Sequence, residues 1–179
     1  MHGDIERVLI GEADIARRVG EIAATLNEKF GDEEVYVVCV LSGSVMFYAD
    51  LVRKLTFPVR LEFIKASSYG MSAVSGELKI IMDLKSDICG KNVVVVEDII
   101  DTGNTIDKLC KMLGARKPKS LCLCALLDKP SRRTRSVSAD ITGFEIPDEF
   151  VVGYGLDYAE RYRELPYVGV LKKSVYECE

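Results

Sequence analysis

The residues most suited to chemistry lie in the stretch VVVVEDIIDTGNT, positions 93–105. Its last five residues are small or polar. Thr102 and Thr105 offer hydroxyl donors, Gly103 lets a backbone approach closely, and Asn104 tolerates unusual dihedrals. A helix that starts there presents unpaired N–H groups and roughly half a positive charge, which suits a phosphate. The acids just before it, Glu97 and Asp98, would repel that phosphate unless they faced something else. A sugar diol or a divalent cation is the natural candidate, so the combination points to a ribose phosphate. The plainer alternative makes Glu97 and Asp98 solvated loop acids and Asp101 a helix cap. Neither the P-loop nor the Gly-x-Gly-x-x-Gly dinucleotide motif occurs here.

The elements that must position these residues follow from the apolar pattern. Val93, Val94, Val95 and Val96 are β-branched on both pleat faces, as expected of a parallel strand covered on both sides. The strand is expected to run out at Glu97 and Asp98, and apolar spacing over 106–113 predicts a helix after the loop. In open α/β sheets ligands bind beyond the carboxyl ends of strands. Upstream, Ile15, Val19, Ile22, Ala23 and Leu26 predict a packing helix over 14–30, stopped by Gly31. Residues 35–41 read as a central strand, and Ser42-Gly43-Ser44 as either a second anion cradle or an ordinary turn before a helix over 45–55. Strands are expected at 59–66 and 78–82. Between them, residues 67–77 read as a hairpin-like flap, cheap to order over a site or simply exposed.

Downstream, residues 120–127 form another apolar strand, ending in Asp128-Lys129-Pro130. Lys129 thus falls on the ligand side of the sheet or into solvent. Arg132, Arg133 and Arg135 read as a solvated or subunit-contact segment. A short strand over 150–154 leaves Phe150 at its mouth, able to stack on a flat base or to join the core. The last strand is expected at 168–171.

At 179 residues the chain is long enough for one domain, residues 1–179, that buries roughly 70% of its unfolded surface. Apolar content of 48%, 29% charge and a net charge of −4 describe a globular protein without a dominant basic surface, so no nucleic-acid partner is expected. The start MHGDIERV is too polar for a signal peptide, and no run nears the roughly 18 apolar residues of a membrane span, so a cytoplasmic location is expected. The six cysteines form no CxxC pair, and the sole histidine is His2, which argues against a zinc site and a histidine relay. Acid–base work would fall to carboxylates, lysine or tyrosine.

The stretch VVVVEDIIDTGNT resembles the phosphoribosyl pyrophosphate signature of the type I phosphoribosyltransferases, most closely those acting on 6-oxopurines. A second block, GFEIPDEFVVGYGLD at 143–157, supports the resemblance, which runs nearly the whole chain. It implies an α/β fold: a mostly parallel central sheet flanked by helices, a small hood built from N- and C-terminal segments, and a flexible hairpin loop. It further implies transfer of the 5-phosphoribosyl group to N9 of hypoxanthine or guanine, with Mg2+ and release of pyrophosphate, in a homo-oligomer (dimer or tetramer).

By the same resemblance, the loop from Asp101 to Thr105 would hold the 5-phosphate, and Glu97 and Asp98 the ribose hydroxyls. Asp101 would exchange a proton with purine N7, Lys129 would meet the exocyclic oxygen, Phe150 would stack on the base and the main chain of Val151 would read its edge. Ser42 and Gly43 match the pyrophosphate loop, although the family usually has lysine where Ser42 stands. Ser68 and Tyr69 match the mobile catalytic loop, and Arg163 the pyrophosphate-gripping arginine. Asp157, with Glu97 and Asp98, would meet the magnesium. Related readings are a xanthine, adenine or pyrimidine acceptor, or a regulator that senses phosphoribosyl pyrophosphate.

Overall fold

The computed structural model describes residues 2–68 and 78–177. The chain runs β1 (Ile5–Ile10), α1 (Glu12–Phe30), β2 (Val35–Leu41), α2 (Val45–Val52), β3 (Val59–Ser68), β4 (Leu78–Met82), β5 (Asn92–Ile100), α3 (Asn104–Ala115), β6 (Ser120–Asp128), β7 (Ile141–Glu145), β8 (Val151–Val152), β9 (Val168–Leu171) and α4 (Lys173–Tyr176). Six strands form the main sheet in the order β4-β3-β2-β5-β6-β7, all parallel except β4. The expected mostly parallel sheet flanked by helices is what forms.

The valine run behaves as its β-branching requires. Val94 and Val96 pack into the cluster containing α1 and α2, while Val93 and Val95 pack into the one containing α3. Both faces of β5 are therefore dry. Helix α1 buries Ile15, Val19, Ile22, Ala23 and Leu26 as its spacing predicts, and Gly31 closes it at φ 55°.

Strand order reverses between β2 and β5. The chain leaves β2 through α2 to β3 on one side, and continues through β5, α3 and β6 on the other. The carboxyl ends of β2 and β5 are thus neighbours whose following loops part to opposite faces, the crevice where open α/β sheets bind ligands. Loop 42–44 and loop 101–103 both open there.

Three features differ from the sequence expectation. Strand β5 continues through Glu97 and Asp98 to Ile100, because Glu97, Ile99 and Ile100 stay in register with Ala125, Leu127 and Asp128 of β6. Helix α2 ends at Val52 instead of 55, where Lys54 N–H turns back to the Leu51 carbonyl. β1 and β7 were not anticipated; β1 pairs antiparallel with β9, which also pairs with β8, making a separate three-stranded sheet. That small sheet is built from the two ends of the chain, and it carries Val151 beside the main site.

Candidate active site

The continuation of β5 changes how its acids are presented. Successive strand residues face opposite sides, so Glu97 follows Val93 and Val95 toward the α3 face and Asp98 follows Val94 and Val96 toward the α2 face. Glu97 accordingly lines the cleft at the start of α3, while Asp98 lies against the loop entering α2: a Cβ added to Gly43 would fall 1.6 Å from Asp98 Oδ2. The two acids do not crowd one anion. They serve two loops.

Both residues are half-buried. Burial pushes the Asp98 carboxyl up to about 6 against the opposing hydrogen bond from Ile99 N–H, with the Arg163 charge lowering it and the Asp157 charge raising it. Burial raises the Glu97 carboxyl well above its usual range, with the Asp98 charge adding to the effect. Glu97 Oε2 is buried and has no hydrogen-bond partner among the described residues. A buried, unpartnered acceptor costs free energy unless something fills its place.

The cleft that Glu97 lines measures about 170 Å³ and is completed by Ile99, Ile100, Asp101, Thr102, Gly103, Asn104, Thr105 and Ile106. Gly103 precedes α3 at φ 83°, a left-handed turn that glycine adopts without strain. The first residues of α3, Asn104 to Ile106, line this cleft, and the Asn104 N–H donates to Thr102 Oγ1 at 3.4 Å; a helix start of this kind can receive an anion.

In the basic segment after β6, Arg132 and Arg135 are exposed, as expected of a solvated stretch, and Arg133 is half-buried; the segment also laces this loop. Arg133 Nη1 donates to the Asp101 carbonyl at 2.9 Å and its other arm pairs with Asp128. Arg135 Nε donates to Asn104 Oδ1 at 2.8 Å, and Thr134 N–H to the Thr102 carbonyl at 3.0 Å. Arg132 Nε lies 2.9 Å from Asp101 Oδ1 while its Nη1 reaches Asp148 at 3.2 Å. The angle at Asp101 is poor, so Oδ1 is ion-paired yet short of a proper hydrogen bond. A 3-10 turn at Pro130–Arg132 folds the segment back onto the loop. Proline one residue past Lys129, followed by arginines, was the available signal.

Lys129 is buried, only 7% exposed, and its Nζ donates to the Glu149 carbonyl at 2.7 Å. Burial lowers its pKa, against the raising charges of Asp101 and Asp148. Phe150 shares with Lys129 a cleft of about 400 Å³ and remains 38% exposed, so it did not join the core. Val151 buries its side chain and pairs with Val170 in β9.

Asp157 and Arg163 are fixed by an unusually turned loop. Gly153, Tyr154, Gly155, Ala159, Glu160 and Tyr162 all have positive φ. Arg163 pairs with Asp157 at 2.9 Å and donates to the Gly155 carbonyl at 2.8 Å. A Cβ on Gly155 would sit 1.9 Å from the Gly43 carbonyl. Asp98, Gly43, Gly155 and Arg163 therefore follow one another in contact, which places Gly43 between Asp98 and the arginine. The peptide between Leu41 and Ser42 is cis. Ser68 ends β3 with its backbone paired to Leu78; its side chain, Tyr69 and most of the expected flap lie outside the described residues.

Among the described residues no three acidic, cysteine or histidine side chains gather as a metal-binding cluster. Magnesium seldom needs one, because it is usually held by one or two carboxylates, waters and the substrate's own phosphates. The half-buried Glu97 and Asp98 carboxyls, both raised by burial and so reluctant to carry charge alone, fit such a group.

Residues 10–159 match the phosphoribosyl transferase domain model. The chain is 49% identical over 178 residues to a hypoxanthine-guanine phosphoribosyltransferase of Bacillus subtilis, covering 99% of each chain. It is 52% identical over 165 residues to a hypoxanthine phosphoribosyltransferase of Salmonella typhimurium, covering 90% of this chain and 93% of the relative. A crystal structure of a hypoxanthine phosphoribosyltransferase from Staphylococcus aureus superposes with a TM-score of 0.96 at 42% identity, covering 99% of this chain and 97% of the other. With its strand-order reversal, its acids and its amide-lined loop so arranged, the chain belongs to the phosphoribosyltransferase family.

Proposed function

We propose that this chain transfers the 5-phosphoribosyl group from phosphoribosyl pyrophosphate to N9 of hypoxanthine, and of guanine, in purine salvage. The observation that carries this reading is the pair of half-buried β5 acids on opposite faces, one beside the cleft at the start of α3 and one beside the Gly43 loop. That arrangement suits a sugar phosphate with its diol over the strand end and its pyrophosphate toward Gly43.

The reaction breaks the bond from ribose C1 to pyrophosphate oxygen and forms one from C1 to purine N9, and the base gives up a proton. C1 becomes oxocarbenium-like as pyrophosphate leaves. The cleft from Asp101 to Thr105 holds the 5-phosphate on backbone N–H groups, Glu97 and Asp98 orient the ribose hydroxyls, and Arg163 and the Ser42–Gly43 backbone hold the pyrophosphate. Holding both charged ends in one geometry is worth many orders of magnitude in effective concentration. Magnesium, when bound, would supply positive charge to stabilise the departing pyrophosphate, and Glu97, Asp98 and Asp157 are the residues that would hold it, directly or through water. Asp101 takes the proton at purine N7, a role open to a partly shielded carboxylate. Lys129 meets O6, Phe150 stacks on the base, the Val151 main chain reads its edge, and Ser68 and Tyr69 belong to the segment that closes over the site.

We further read residues 1–179 as one cytoplasmic domain that assembles as a homo-oligomer. In support, Leu61 and Phe63 lie on one face of β3 and are 53% and 38% exposed, and no helix among the described residues is long and apolar enough to cross a membrane. Light scattering after size exclusion would measure the assembly. A spectrophotometric assay of nucleotide formation with hypoxanthine, guanine, xanthine and adenine in turn, with and without magnesium, tests the reaction. Turnover of hypoxanthine only with magnesium is expected; no turnover of either hypoxanthine or guanine would refute it.

A further inference from the structure

The last helical turn of the described chain folds back onto the residue assigned to stack the base. Leu171 N–H, at the end of β9, donates to the Phe150 carbonyl at 2.9 Å, so the chain leaves β9 directly beside Phe150. Lys172 is tied to the N-terminal segment, its N–H to the Asp4 carbonyl at 3.0 Å and its Nζ to the Gly3 carbonyl at 2.6 Å. From that anchored start α4 makes one turn and returns Tyr176 over Phe150. The two rings stack, centroids 4.7 Å apart and planes inclined by 22°. Tyr158 meets the Phe150 ring at 5.6 Å with its plane at 88°. Tyr176 and Tyr158 both pack on the small cluster of Ile5, Val152, Tyr162 and Leu171.

Phe150 is thus gripped by two aromatic neighbours and still keeps 38% of its surface open. A lone exposed phenylalanine would sample several rotamers and lose side-chain entropy when a base docked on it. A ring already held in a stack has lost that freedom beforehand, and the base meets a preorganised surface. Tyr176 lines the same cleft as Phe150 and Lys129.

We propose that Tyr176 is a positioning residue for the base: it holds the Phe150 ring in its stacking orientation, so that the purine subsite is completed by the chain's C-terminal turn. This rests on the reading that Phe150 stacks the base. Tyr176 is not among the residues lining the cleft assigned to the 5-phosphate.

The test is a mutant cycle on steady-state constants for hypoxanthine and for phosphoribosyl pyrophosphate. Tyr176→Ala should raise the KM for hypoxanthine about two- to tenfold, the scale of one aromatic pair, and leave that for phosphoribosyl pyrophosphate unmoved. Tyr176→Phe should restore the wild-type value, because only the ring face is needed. Tyr176→Leu keeps apolar cover without an aromatic face and should behave as Tyr176→Ala does, separating stacking from simple packing. In a Phe150→Ala background, Tyr176→Ala should add nothing. A base KM that is unchanged in Tyr176→Ala, that falls because the tyrosine had blocked the site, or that rises together with the other substrate's, overturns the inference. A Phe150→Ala variant with a normal base KM overturns the stacking reading itself, and the inference with it.

Discussion

Replacing Asp98 by asparagine should stabilise the ligand-free protein, and only above acid pH. Its carboxyl is raised by burial from 3.8 to about 6. A shift of about two units at ~1.4 kcal/mol each corresponds to ~3 kcal/mol, an upper bound because the residue is only half-buried and solvent screens part of it. An acid with a raised folded-state pKa binds its proton more tightly folded than unfolded. Below about pH 3.8 both states hold the proton and nothing is lost; as pH rises from there to about 6, stability falls, and above that the full penalty is carried. Asparagine is neutral at every pH, keeps an Oδ1 to accept the 2.7 Å hydrogen bond from Ile99 N–H, and places a group of similar size against Gly43. The variant's advantage should therefore open near pH 4, level off above about pH 6 and reach about 1–3 kcal/mol. For a chain of this length that is a rise in Tm of roughly 3–10 °C. Urea melts of both proteins at about pH 4 and about pH 8 measure it. Equal midpoints at the higher pH, or a less stable variant there, would mean that the carboxylate already has partners offsetting its burial, and its assignment as a ligand-facing group would lose its physical basis. The same variant should lose affinity for phosphoribosyl pyrophosphate, since stability and function draw on the same carboxylate.

Two further substitutions probe the chemistry and the packing of the site. Asp101→Asn should keep substrate binding within roughly tenfold yet lower kcat by about a hundredfold or more, the scale of a lost general acid–base group; unchanged turnover removes Asp101 from the proton transfer. Gly43→Ala places a methyl group 1.6 Å from Asp98 Oδ2 and must displace that carboxylate. A shift of this order can cost about a hundredfold in kcat/KM for phosphoribosyl pyrophosphate, and a normal value would show that loop 42–44 does not depend on its contact with β5.

The sequence made the scaffold legible wherever one physical signal dominated. Val93 to Val96 announced a strand buried on both faces, and the α1 stripe named its own core residues, because burial period and side-chain type agreed there. The acids were legible as unusual, but not their division. Asp98 reads as the end of a strand because carboxylates are poor strand formers, and only pairing with β6 carries β5 on to Ile100. Strand β1 was hidden for a related reason: in IERVLI only Ile5 and Ile10 are buried, and a bulged pairing with β9 breaks the alternation that would reveal it. Arg132 and Arg135 are exposed as their charge suggests, but the partners that tie this segment to the loop, the Asp101 carbonyl of Arg133 and the Asn104 side chain of Arg135, lie 32 and 31 positions away, beyond any local pattern.

Those pairings decide how a polyanion is received. Arg163 is engaged by Asp157 and Glu160, Arg132 by Asp101 and Asp148, Arg133 by Asp128, and Lys129 by a carbonyl. None of these cations stands idle at the mouth of the site, so an incoming phosphate gains little from a field of free charge and must be held by direct geometry. On the proposed reading the amides at the start of α3 would supply it, with Gly103 already in the left-handed turn and only the long Asn104 N–H to Thr102 Oγ1 contact to exchange. On the same reading Arg163 would meet a phosphate oxygen while its Nη2 is shared with Asp157 and Glu160 and its Nη1 with the Gly155 carbonyl. If the proposed function holds, a site built this way would discriminate against anions that do not satisfy both loops at once, the selectivity expected of one that seats a sugar between two phosphate groups.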